Sequence, residues 1–284
     1  MPSDDGSVTA RASTGPLRGA LPLLRAAHIG PSVAVTAIAA LLALALDLPA
    51  TTGAIVVAAV LTGQLTIGWG NDLLDLDRDR DVGRADKPLA NGELPPATVR
   101  RWLSVAAAAC VVLSLLAGWR SGATHLALLV AFGHLYNVHF KATPWSWLPY
   151  AVAFGSLPAV VSLANSPPRW PPTWMVATAA ALGIAAHFLN ALPDLEDDAA
   201  TGVRGLPHRL GAGRSRTVAT ALLLAASLVA VLGPAGTPDT WAVAALAVVV
   251  VLAGVVSFGR GRTPFQAAIG IALTVVALLT VVSP

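Results

Sequence analysis

Long apolar runs alternate with short polar breaks along the chain. The breaks coincide with Pro49, Pro95-Pro96, Pro144, Pro167-Pro168, Pro171-Pro172, Pro234 and Pro264. A helix needs about 20 apolar residues to cross the hydrocarbon of a bilayer, and Pro and Gly punctuate the turns between helices. The pattern predicts about nine spans, near residues 29–47, 53–73, 99–118, 122–140, 146–164, 173–193, 215–232, 239–258 and 264–282. Small residues are frequent inside the runs (Ala106 to Ala109, Ala179 to Ala181), which favours close helix packing in lipid. The expected fold class is all-α, a polytopic membrane protein with its helices in one bundle. Residues 1–20, polar and rich in Ser and Gly, read as a disordered tail without the layout of a cleaved signal peptide. Residues 21–284 read as one membrane domain.

Composition sharpens this. The 284 residues are 55% hydrophobic and only 12% charged, with a mean hydropathy of +0.70, which excludes an ordinary soluble domain. The single cysteine, Cys110, lies in an apolar run, so there is no disulfide framework. The net charge of +3 hides a segregation of charges. With a cytoplasmic N-terminus and nine spans, sixteen of the eighteen Lys and Arg residues fall on the cytoplasmic side, and only Arg120 and Arg169 fall outside. This is the positive-inside distribution of a multi-pass protein of the cell membrane. It places the C-terminus on the opposite side and both acidic clusters, with their loops, in the cytoplasm. The partners expected are the lipid bilayer and small molecules, and no nucleic acid.

The candidate chemistry lies at two helix ends. Asn71-Asp72-Leu73-Leu74-Asp75-Leu76-Asp77-Arg78-Asp79 follows directly on an apolar run. If the helix continues, Asn71, Asp75 and Asp79 share one face at i, i+4 and i+8, and Asp72 points about 100° away. Asn190, Asp194 and Asp198 repeat the spacing at the end of a second run. One such cluster is most simply a solvated helix end. Two oxygen-only clusters of equal spacing suit a hard divalent cation, Mg²⁺ above all. Basic residues lie close by in sequence: Arg80, Arg84 and Lys87 after the first cluster, Arg204 and Arg209 after the second, and Lys141 at the end of the fourth run. Carboxylates, Mg²⁺ and cationic side chains together bind a diphosphate. At a membrane surface, the natural diphosphate carries an isoprenoid tail. The alternative for the basic residues is cytoplasmic anchoring.

Asn71-Asp72-x-x-Asp75-x-x-x-Asp79 resembles the first aspartate motif of the UbiA-type intramembrane prenyltransferase superfamily. Asp194-Leu195-Glu196-Asp197-Asp198, followed by Gly202, Arg204, Leu206-Pro207 and Arg209-Leu210-Gly211, resembles its second. Tyr136 through Lys141 resembles its tyrosine–lysine motif, and the likeness runs through nearly the whole chain. The resemblance implies a bundle around a central cavity, with two Mg²⁺ bridging both motifs through a prenyl diphosphate. It implies Asn71, Asp75, Asp79, Asp194 and Asp198 as metal ligands, with Asp72 and Asn190 behind them. It implies Asp75, Asp194 and Lys141 as catalytic, and Arg80, Arg84, Lys87, Tyr136, Lys141, Arg204 and Arg209 as diphosphate-binding. Members acting on aromatic acids carry Arg-Pro near the first helix, whereas this chain reads Arg25-Ala26-Ala27-His28-Ile29-Gly30-Pro31. Arg25 and His28 are the candidate acceptor residues, although His28 also fits a plain helix start. The implied activity is transfer of an isoprenoid to an aromatic or other lipophilic acceptor. The alternatives are a terpene cyclase on the same scaffold and a transporter. Acids at helix ends rather than at mid-membrane argue against the transporter.

Overall fold

A computed structural model describes residues 16–234, 237–238 and 240–282. All regular structure among them is helical. The helices are α1 (Pro16–Ala26), α2 (Ile29–Ala45), α3 (Ala50–Leu74), α4 (Leu76–Asp81), α5 (Pro96–Leu116), α6 (Trp119–Thr124) and α7 (Ala131–Val138). After them come α8 (Leu148–Ser162), α9 (Thr173–Ala191), α10 (Leu195–Ala200), α11 (Leu206–Leu232), α12 (Thr240–Phe258) and α13 (Thr263–Val282). A π-helical segment, His125–Val130, joins α6 to α7. Most of the expected tail lies outside the described residues, but α1 begins at Pro16, inside the stretch expected to lack structure.

Length and apolarity mark six helical segments among the described residues as able to cross a membrane, or seven if the bent pair α1–α2 counts as one span. The expected count of nine is not reached on these criteria, for three local reasons. Helix α2 has 17 residues, because the chain turns by 70° just before it. The run 122–140 is divided by its π-helical segment. Helix α8 has 15 residues, about 22 Å of rise, which falls short of a hydrocarbon core of about 30 Å.

Consecutive long helices pack side by side, and the last, α13, packs back on α2, so the bundle closes on itself. Its core runs through Leu42, Leu157, Phe188, Leu223 and Ile271. The outward faces of α5 and α12 leave Val112, Leu115, Val250 and Val251 more than half exposed, as lipid-facing surfaces do. Two exposed tryptophans lie just outside helices, Trp145 before α8 and Trp170 before α9. Trp174, by contrast, packs against the core.

A second, smaller core lies under the α3–α5 loop, where Leu89 and Leu94 are buried with Ala26, Ala27, Trp69 and Val99. It depends on a close approach. The turn between α1 and α2 lies directly on α3 at Gly68, where a Cβ would come within 2.3 Å of the Ala27 carbonyl oxygen. The Trp69 indole donates to the Leu23 carbonyl at 2.9 Å. Together these contacts place His28, in the left-handed conformation with φ 51°, beside Asp72.

Gly68→Ala is expected to destabilise the protein by about 1–3 kcal/mol, because the obstacle is backbone rather than a flexible side chain. Thermal unfolding in detergent checks this. Gly254→Ala, where a methyl group meets nothing within 4 Å, is the control. Equal midpoints for the two variants would mean that the corner is loosely packed.

Candidate active site

The first acidic stretch is nearly one continuous helix. Helix α3 ends at Leu74 and α4 starts at Leu76, but the Asp75 and Asp79 amides still bond to the Asn71 and Asp75 carbonyls. Asn71 therefore lies against Asp75, its amide donating to Asp75 Oδ2 at 2.9 Å and to Asn137 Oδ1 at 3.4 Å. The second stretch departs from the expected spacing. Pro193 lies in a 3-10 turn, Leu192–Asp194, between α9 and α10, so Asn190, Asp194 and Asp198 do not share one continuous α-helical face. Asn190 is exposed.

The two stretches meet at one end of the bundle through cations. Arg78 lies 3.0 Å from Asp75, 3.9 Å from Asp79 and 4.0 Å from Asp198. Lys141 bonds Asp75 Oδ1 from the turn after α7. Arg84 forks onto Asp86 at 2.9 and 3.0 Å and reaches Asp194 at 3.4 Å. That fork holds the Asp86 carboxyl down at about 2 and raises Arg84 further above its already high value. Asp79 is almost fully buried. Burial, with Asp75 adding like charge, raises its pKa against the pull of Lys87 and Arg78. His208, on the first turn of α11, lies 3.3 Å from Asp198.

Two junctions fix the Lys141 turn. Gly205 lies so close that a Cβ would stand 2.7 Å from the Lys141 carbonyl oxygen. The Ser146 hydroxyl accepts the Leu206 amide at 2.9 Å and pairs with His187 at 3.0 Å. Tyr136 packs edge-on against Tyr150 and His187 on the inner side of this turn. His134 bonds Thr66 and so links α7 to α3, whereas His187 links α9 to the turn before α8.

Several expected residues lie elsewhere. Arg80 is half-exposed and its nearest acid is Asp77, on the outer face. Arg204 and Arg209 are exposed, joined by a bond from the Arg209 guanidinium to the Arg204 carbonyl. Lys87 is turned onto Asp72 at 2.6 Å, with His28 on the same carboxylate oxygen at 2.9 Å. Asp72 is 2% exposed, and its second oxygen has no hydrogen-bond partner among the described residues. Arg25 is bound to Glu93 and to the Asp86 carbonyl, both at 3.0 Å. Arg78 is the residue that sequence reasoning missed. Seven residues past Asn71 is almost two full helical turns, which returns Arg78 to the Asn71 face, whereas nine residues put Arg80 opposite.

Among the described residues, no group of three or more His, Cys, Asp or Glu side chains stands close enough to hold a metal ion. The donor chemistry nevertheless fits one. The side chains converging here are carboxylates and one amide, and cationic side chains of the protein already lie against them, the charge that a hard divalent ion carries.

A closed bundle of apolar helices with its charged chemistry gathered at one end is the build of an intramembrane prenyltransferase. The chain belongs to the UbiA prenyltransferase family, whose model matches residues 32–268. It is 30% identical over 226 residues to digeranylgeranylglyceryl phosphate synthase of Natronomonas pharaonis, covering 75% of this chain and 76% of the relative. Among solved structures, a UbiA homologue from Aeropyrum pernix K1 in its apo form superposes with a TM-score of 0.73 at 18% identity, covering 89% of this chain and 98% of that one. A UbiA homologue from Archaeoglobus fulgidus, solved bound to DMAPP and Mg²⁺, superposes with a TM-score of 0.66 at 15% identity, covering 92% and 99%.

Lys87→Met is expected to cost about 3–5 kcal/mol, because it leaves Asp72 buried with only His28 for compensation. The double variant Asp72→Asn with Lys87→Met should recover most of that loss. Denaturation of both in detergent measures the coupling, and additive losses would mean that the pair is not a unit.

Proposed function

We propose that the protein is a Mg²⁺-dependent prenyltransferase that moves an isoprenoid from its diphosphate to a lipophilic acceptor at the cytoplasmic end of the bundle. The observation that carries this is the convergence of both acidic stretches within reach of one guanidinium, that of Arg78. The Archaeoglobus homologue, bound to DMAPP and Mg²⁺, supports the cofactor and the donor class. Asn71, Asp75, Asp79, Asp194 and Asp198 would hold the metal. When bound, Mg²⁺ offsets the charge of the departing diphosphate. Lys141 and Arg84 already point at these carboxylates and would take phosphate oxygens. The allylic C–O bond breaks with its electron pair on the diphosphate. The acceptor forms the new bond to the allylic carbon and loses a proton. Tyr136, Tyr150 and Phe154 make an apolar, aromatic wall beside the Lys141 turn, suited to the isoprenoid.

The same reading takes the nine helical segments as nine crossings around a central cavity, with the N-terminus in the cytoplasm and the C-terminus opposite. The sixteen-to-two division of Lys and Arg supports this orientation. The acceptor does not need a carboxylate. The pairing of Arg25 with Glu93 and of His28 with Asp72 supports an acceptor that neither residue holds. The similarity to a digeranylgeranylglyceryl phosphate synthase makes a glyceryl phosphate lipid the first acceptor to test.

Asp75→Ala and Asp194→Ala should each abolish turnover, because each removes an acid of the proposed metal site, and Asp75→Ala should also lower the unfolding temperature, because it leaves Lys141 and Arg78 without their shared carboxylate. Asp77→Asn, at a side chain 97% exposed, should be mild. Substantial turnover by either alanine variant at saturating Mg²⁺ would sink the metal–diphosphate reading.

Purified protein given prenyl diphosphate and Mg²⁺ should release prenylated product only when an acceptor is added. A hydrocarbon or terpene alcohol formed from donor alone would instead mark a cyclase. Arg25→Ala should leave acceptor kinetics within about twofold, whereas loss of a charged hydrogen bond to an acidic acceptor would cost about 10–100-fold in kcat/KM.

A further inference from the structure

Asp75 has both carboxylate oxygens engaged within the protein. Oδ1 takes Lys141, and Oδ2 takes both Asn71 and Arg78. Among the described residues, Arg78 is the one side chain whose ion pairs reach carboxylates of both acidic helix ends. A quarter of its side chain is exposed, so it is not enclosed in the apolar core. It starts only three residues beyond Asp75, on the turn that carries Asp79. Three carboxylates around one guanidinium, with Lys141 on Asp75 as a second cation, are largely compensated, whereas three carboxylates with nothing between them repel one another.

We infer that Arg78 is the protein's own counter-cation for the metal site. It holds the two acidic ends together before substrate arrives, and it gives up the same oxygens when metal and diphosphate enter. This rests on the diphosphate reading above. Two consequences follow from exclusive occupancy of one set of oxygens. Metal alone binds weakly, because it must displace a resident cation. Metal with diphosphate binds well, because the released guanidinium gains phosphate oxygens as new partners. Arg78 thus couples metal to diphosphate, and the coupling is reciprocal by linkage. A purely structural arginine would stabilise the end of α4 and leave metal affinity alone.

The test is calorimetric titration of metal-stripped, detergent-purified protein with Mg²⁺, with and without inorganic pyrophosphate, for wild type and Arg78→Gln. Arg78→Gln is expected to bind Mg²⁺ alone more tightly by on the order of tenfold, the scale of one lost charge-assisted hydrogen bond. The gain in affinity that pyrophosphate brings should shrink by a similar factor. The metal-free variant should also unfold at a lower temperature than wild type, with Mg²⁺ restoring part of the difference. Arg78→Lys keeps the charge but not the fork, so it should show the same changes to a smaller degree, and it carries the test if the glutamine variant does not fold. Unchanged or weaker Mg²⁺ binding in the variants, with normal binding in wild type, overturns the counter-cation inference alone. Absence of Mg²⁺ binding by wild type, even with pyrophosphate, overturns the diphosphate reading and this inference together.

Discussion

Compensation of buried carboxylates at the edge of an apolar bundle is the constraint on which the structure depends. Asp72, Asp75 and Asp79 are all buried, and each has a cationic side chain within ion-pair distance. Without those partners the acids would be too costly to desolvate. With them, acids and bases become struts. Lys87 ties the α3–α5 loop to α3, Lys141 ties the turn after α7 to α3, Arg78 ties the first acidic stretch to the second, and Arg84 ties the α3–α5 loop to the second. Much of what positions the candidate site is therefore also what holds this end of the bundle together.

The apolar packing serves that arrangement. The corner between α1 and α2 can lie on α3 only because residue 68 has no side chain, and the corner sets His28 beside Asp72. Leu89 and Leu94 anchor the intervening loop in the small core, which leaves Arg84 and Lys87 in fixed directions. On the far side, Gly205 and Ser146 lock the Lys141 turn to the start of α11. Small residues at these junctions allow backbones to touch where charged groups must meet.

Much of this was legible in the sequence, because apolar run length and Pro/Gly breaks locate helices directly. The seam Asn71/Asp75 was legible too, since it needs only helical period. Three things were not. The number of complete crossings was obscured because a 70° corner and a π-helical segment leave no strong compositional trace. The phase of Asp194 and Asp198 was hidden because Pro193 inserts a 3-10 turn into an otherwise helical spacing. The partners of Arg25, His28 and Lys87 come from loops folded back over α3, and pairing at such separations has no local signature. Arg78 was legible in principle, by the same helical period that placed Asp75.

The cross-ties Arg78–Asp198 and Arg84–Asp194 join segments separated by more than a third of the chain. As the protein is synthesised and inserted, the first acidic stretch emerges long before its counterpart does. During that interval its carboxylates have only local cations, and no second half exists to complete a binding place. Assembly of this end therefore waits for α9 and α10, and a chain arrested before α9 would reach the membrane without either tie. The separation makes the two ties a record of synthesis, because they can form only after the chain has been made through α10.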